Sequence, residues 1–200
     1  MSFRVILSAL LAVMLVVPLS PVHAGNSLIA ADKRVAVGKS KLMVTPDREW
    51  NRMGLRRVKG SESWTLDGDG LNDITFYGGL AGGQTLFRDV QKKTAPLPTF
   101  SPTMLLTDVP TLLEGSIRIS QQTSLITIDS IKPARFVGAD GVAFTYSFVK
   151  PDGLRRKGEA RAALVGGKLY MMTFEAPALH YFDRDAANFR SLAETAKIGS

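Results

Sequence analysis

The clearest pattern along the chain is an alternation of apolar and polar or small positions that begins near Ser124 and continues to Phe182. Val142, Phe144, Tyr146 and Phe148 fall on one side of a pleat, and Ala143, Thr145, Ser147 and Val149 fall on the other, as successive side chains of a strand must. This reading predicts strands over Leu125–Ile131, Val142–Val149, Lys157–Val165 and Lys168–Glu175. Between them lie Asp140-Gly141, Pro151-Asp152-Gly153 and Gly166-Gly167. Glycine reaches positive φ without a Cβ clash and proline presets the entry to a turn, so each strand folds back on the last as an antiparallel meander.

Helical periodicity brackets the meander. Leu112, Leu113, Ser116 and Ile117 share a face and predict a helix over Val109–Ser120, with Asp108 placed to cap it and Pro110 in its first turn. Ala186, Phe189, Leu192, Ala193 and Ala196 recur at the same spacing, so a final helix opened by Asp183 or Asp185 runs through Lys197. The N-terminal half holds shorter pieces. Lys41–Val44 and Trp50–Lys59 read as strands, and Trp64–Leu66 and Ile74–Tyr77 as a hairpin around the loop between them. Gly78–Gly83 predicts no regular element, and Leu86–Lys93 a helical turn or two. Pro96, Pro98 and Pro102 then keep the chain extended, making 78–102 the mobile part of the domain. Residues 25–40 are expected to form a disordered lead before a single domain over 41–198. The expected class is α+β: a central antiparallel sheet flanked by helices, arranged like an α/β/α sandwich.

The run Gly141 to Phe148, the run Gly166 to Glu175 with its Gly-Lys-Leu-Tyr start, and Tyr181-Phe182 leading into the terminal helix follow one another in a distinctive order. Over roughly residues 105–198 that order resembles the closing half of PsbP-like proteins. That family includes extrinsic photosystem subunits and shares its sandwich with a Ran-binding nuclear transport factor. A closer likeness is to small secreted bacterial proteins of uncharacterised role. The resemblance implies a central antiparallel sheet with flanking helices, and a role as a binding or assembly partner and not as an enzyme. It carries over no catalytic or ligand residue, and the N-terminal half departs from it.

The first residues change where the domain begins. Arg4, the apolar run Val5–Val17, the breakers Pro18 and Pro21, and Val22-His23-Ala24 form the pattern of a signal peptide over residues 1–24. As a helix that run would rise about 20 Å, short of the roughly 30 Å of a bilayer core. Cleavage near Ala24 implies a secreted protein of the periplasm or cell envelope, with no transmembrane segment in the mature chain. The 200 residues contain no cysteine, so a hydrophobic core must hold the fold without disulfides.

Charge then narrows the partners. Lys and Arg number 25 against 18 Asp and Glu, a formal charge of +7 that falls to +6 without Arg4. Arg52, Arg56, Arg57 and Lys59 form one basic cluster; Arg155, Arg156 and Lys157 form another at a hairpin tip and are the candidate partner contact. Such clusters suit an anionic membrane surface or an acidic protein partner of unknown identity. Nucleic acid is not expected, since no recognised module is present.

Three local motifs bear on chemistry. The loop Asp67–Asp73 places acidic side chains on a glycine-bent turn and resembles the calcium loops of FG-GAP and thrombospondin-type repeats. Asp67, Asp69 and Asp73 match three ligand places, but Thr65 stands where the first acidic ligand would be. The alternative reading is a polar connection whose side chains serve the turn. His180 is the one histidine left after cleavage, and a hydrolase reading pairs it with Glu175 or Asp183 and a serine such as Ser147 or Ser191. Neither a nucleophile elbow nor a phosphate-loop ending accompanies it or the Gly78–Gly83 run. Tyr146, Phe148, Tyr170, Met172 and Phe174 either line a ligand cleft or pack the core. The sequence therefore predicts a non-enzymatic binding or assembly protein without a cofactor. Its alternatives are a hydrolase using His180 and a calcium-stabilised binding domain using Asp67–Asp73.

Overall fold

The computed structural model describes residues 26–54 and 58–199; the leader and its cleavage site, Arg56 and Arg57 lie outside them. Strands β1 (Ser27–Ile29), β4 (Trp50–Arg52), β5 (Ser61–Thr65), β6 (Asp73–Leu80), β7 (Ile126–Phe136), β8 (Ala139–Val149), β9 (Arg155–Val165) and β10 (Lys168–Pro177) form one sheet. Its order is β1-β4-β5-β6-β10-β9-β8-β7, and every neighbouring pair is antiparallel. A three-stranded sheet joins β2 (Val35–Ala36), β3 (Leu42–Val44) and β11 (Lys197–Ile198) in the order β11-β3-β2. Helix α1 (Val109–Ser120) packs on one face of the large sheet and α2 (Tyr181–Glu194) on the other.

The two-residue period decides which face each row joins. Val142, Phe144, Tyr146 and Phe148 of β8 meet Leu112, Leu113 and Ile117 of α1. On the opposite face Tyr170, Met172 and Phe174 of β10 meet Phe182, Phe189 and Leu192 of α2. Phe174 stacks between two helix rings, with centroids 5.5 Å from Phe182 and 5.8 Å from Phe189. Completely burying one such phenylalanine is worth roughly 2–3 kcal/mol, so this row holds α2 to the sheet. The two aromatic rows thus lie on opposite sides of the sheet and do not line one cleft; both are core.

Each meander strand extends two to five residues beyond the expected bounds at one end, and α1 spans the predicted residues. Asp108 departs from its predicted role: its carboxylate accepts the Leu105 N–H at 2.9 Å, and no side chain caps α1. The final helix starts at Tyr181 and stops at Glu194, because Thr195 turns the chain so that Lys197 and Ile198 can pair with Met43 and Leu42.

Three N-terminal expectations are corrected. The described part of the expected disordered lead, residues 26–40, is ordered: β1 pairs with β4 and β2 with β3, and Ile29 and Val37 are buried. Their alternation is too short to register in the sequence, and the pairing partners come from elsewhere in the chain. The Gly78–Gly83 run does not lack structure either, because β6 continues through Gly78 and Gly79 to Leu80. Leu86–Lys93 makes no helix. Leu86, Phe87, Leu97 and Phe100 instead insert into the core on the α1 face, so 78–102 is an anchored covering segment.

Candidate partner-binding surface

One end of the large sheet collects three signals that lie far apart in sequence: the loop 66–72 between β5 and β6, the start of β9, and the start of α2. Asn72, fully buried, organises the loop. Its Oδ1 accepts the N–H groups of Leu66 and Asp67, both at 3.0 Å, and its Nδ2 donates to Asp67 and Asp185, both at 2.9 Å. Asp73 accepts the Gly70 N–H at 2.9 Å, closing the turn. These are the turn-forming Asx bonds that short polar side chains make with nearby backbone.

Cations from distant elements complete the network. Arg184 of α2 bonds to Asp67 and reaches both oxygens of Asp185, at 2.9 and 2.6 Å. Arg156 of β9, only 3% exposed, donates to the Gly70 carbonyl, with a guanidinium nitrogen 3.9 Å from Asp73. Burial pushes the Asp185 carboxyl up, but the bonds from Arg184 and Asn72 outweigh that cost and hold it below the usual carboxylate range. The same bonds, to Asp185 first and then Asp67, raise the Arg184 guanidinium above its ordinary value.

This arrangement fits the polar-connection reading of the loop, whose side chains serve the turn. Asp67 faces Arg184, Asp73 faces Arg156, and Asp69 points outward, so the three carboxylates do not converge. Among the described residues no group of three or more His, Asp or Glu side chains is placed to hold a metal ion. A calcium site needs six to eight oxygens around one point, and here arginines occupy that role toward the acids. The sequence offered no clue to pairings that span 86 and 117 residues.

The basic triplet is split in the same way. Arg155 is exposed, as predicted for a tip, while Arg156 is buried and structural because the pleat turns it inward between two outward neighbours. Lys157 is half-buried, its Nζ 5.6 Å from the Phe182 ring centroid. Sequence reading missed the apolar component of this surface. Leu125, Leu154 and Leu179 are 64%, 41% and 86% exposed. They project from the same end of the sheet, where backbone bonds link Val149 to Leu125, Lys150 to Leu154 and Ala178 to Arg155.

His180 lies at the same end with an exposed side chain, in a left-handed conformation at φ 70 that turns β10 into α2. Its ring meets the edge of Tyr181, and none of its hydrogen bonds reaches Glu175, Asp183 or a serine. Glu175 is engaged elsewhere, accepting the Tyr146 hydroxyl at 2.8 Å. The convergence that a His180 hydrolase requires is not formed.

An eight-stranded antiparallel sheet with a helix on each face, closed by a helix that follows the last long strand, is an α+β fold of the PsbP-like type. The chain is similar to cyanobacterial PsbP (CyanoP) from Synechocystis sp. PCC 6803, with a TM-score of 0.57 and 12% identity over 85% of this chain and 94% of that one. It is also similar to a protein of Bacteroides thetaiotaomicron VPI-5482, with a TM-score of 0.50 and 9% identity over 86% of this chain. There it spans 50% of the other protein's length. No protein-family profile and no curated protein matches the sequence. At such identities the likeness is one of fold alone.

Proposed function

We propose that this chain is a secreted, non-enzymatic binding or assembly protein of the bacterial envelope, and that it meets its partner with the end of the sheet carrying Arg155, Leu154 and Leu179. The observation that carries this reading is a division of labour among side chains. At that end Arg156, Arg184, Asp67, Asp73 and Asp185 are committed to one another, whereas Arg155 stands exposed beside exposed leucines. A cation next to unpaired apolar side chains is the make-up of a contact surface, where aliphatic area drives association and charge selects the partner. The leader pattern of residues 1–24 supports export, and the resemblance of the carboxyl half to PsbP-like proteins supports a binding or assembly role by analogy.

Expression of the full chain with its own leader, followed by fractionation and crosslinking, tests the proposal. The expected product begins at Gly25, lies outside the cytoplasm, and crosslinks to a partner that an Arg155→Glu/Leu179→Ser variant no longer captures. An intact leader on cytoplasmic protein would overturn the export part. Equal capture by the variant, or hydrolytic turnover abolished by His180→Ala, would overturn the binding part.

A further inference from the structure

At the opposite end of β10 from Pro177, about 30 Å away for ten residues of strand, lies a groove of about 780 Å³. Four exposed lysines line it: Lys39 and Lys41 from the turn between β2 and β3, Lys59 from the connection into β5, and Lys168 at the start of β10. No carboxylate lines it. Among the described residues none of the four lysines forms an ion pair. A neighbouring groove of about 810 Å³ shares Lys59 and Gln84 with it and adds Arg88 and Lys92 against one acid, Asp89.

The turn that carries two of the lysines is held in place. Ser40 Oγ donates to the Val37 carbonyl at 2.7 Å and accepts the Leu42 N–H at 3.1 Å, which fixes the turn that carries Lys39 and Lys41. That turn rests directly on β6, where a Cβ on Gly78 would stand 1.8 Å from Ser40 Oγ. Lys39 itself has φ 53, a left-handed conformation that glycine or asparagine adopts far more readily than a long side chain. A lysine at a position whose backbone disfavours it is a local conflict of the kind that functional sites tolerate.

We infer that these joined grooves are a binding site for a ligand bearing several phosphate groups. Four like charges facing one concavity repel each other and are relieved by a polyanion. The first groove holds lysines without arginine. Lysine is a compact point charge suited to a charge-dense tetrahedral phosphate, while planar carboxylates favour the two-pronged guanidinium. The inference stands apart from the partner surface proposed above, which occupies the other end of the sheet.

Titration calorimetry of the purified chain with sodium tripolyphosphate tests it, with citrate as a carboxylate control and phosphatidylglycerol vesicles as a second source of phosphate. The expected result is binding of tripolyphosphate or of the vesicles at least tenfold tighter than of citrate. Whichever source binds, the Lys39→Gln/Lys168→Gln variant should lose at least tenfold, and a Lys132→Gln/Lys150→Gln control should lose little. Lys39→Gly should weaken binding while raising the melting temperature, which separates a lost site from a damaged fold. No binding from either source, equal binding of citrate, or equal losses in the two double variants would overturn the site. None of those outcomes touches the crosslinking behaviour of the Arg155 end.

Discussion

The hydroxyl of Tyr146 on β8 donates a hydrogen bond to Glu175 on β10 at 2.8 Å, reaching across the strand between them at Gly158. The three residues are in register on the α1 face, and only the missing side chain of Gly158 lets the ring lie flat over β9. A Cβ there would stand 2.1 Å from the Tyr146 ring. Glycine in a strand interior weakens the strand by itself, and here the ring that fills its place compensates.

Gly158→Ala is therefore expected to destabilise the fold by about 2–3 kcal/mol, the range for overpacking a rigid core with the added loss of a hydrogen bond. Tyr146→Phe, which keeps the ring, should cost only about 1 kcal/mol. Urea denaturation of both variants checks the order. A larger loss for Tyr146→Phe than for Gly158→Ala would show that the hydroxyl and not the ring matters.

The alternation of β9 gives Arg155 and Arg156 different fates. Arg156→Ala removes a buried cation that satisfies the Gly70 carbonyl and faces Asp73, and should cost about 3 kcal/mol. Arg155→Ala touches an exposed side chain and should change stability by less than about 0.5 kcal/mol. Thermal melts of the two single variants distinguish them.

Asp185 makes stability depend on pH at the acid end. Its carboxyl is held below the ordinary range in the folded chain, while in the unfolded chain it titrates near the reference value of about 3.9. The folded state thus binds fewer protons, so this contribution is complete above that reference value and is lost as pH falls through the lower folded value. Asp185→Asn should destabilise clearly at neutral pH, and the gap to the parent chain should narrow at about pH 2–3. Urea midpoints at the two pH values measure it.

Much of this fold was legible because its carboxyl half is regular. An eleven-residue strand such as β8 repeats its period often enough to define both faces, and α1 and α2 each carry an apolar stripe matched to one of them. The amino half was read poorly because β1, β2 and β3 span three, two and three residues, too few for a period to appear. Their existence depends on partners such as Lys197 and Ile198, more than 150 positions away. The candidate surface divides similarly. Arg155 was recognisable from its hairpin, but Leu179 beside it and Arg184 opposite Asp67 become meaningful only once the sheet has brought them together.

The loop Asp67–Asp73 yields the last expectation. A divalent ion would have to displace Arg184 from Asp67 and Arg156 from Asp73, and it would still find only Asp69 unpaired in the loop. Separating the buried Arg156 from Asp73 costs several kcal/mol, more than one exposed carboxylate returns to calcium. A ligand bound only by the native state, at a hundred times its dissociation constant, would add about 2.7 kcal/mol of stability and raise the melting temperature visibly. Millimolar calcium and subsequent chelation should accordingly leave the melting temperature unchanged. Arg184→Gln, which leaves Asp67 and Asp185 without their cation, should instead lower it with or without calcium. A calcium-dependent rise in the parent chain would mean that the loop opens and rebuilds around the ion, and that the arginine network is only one of its two states.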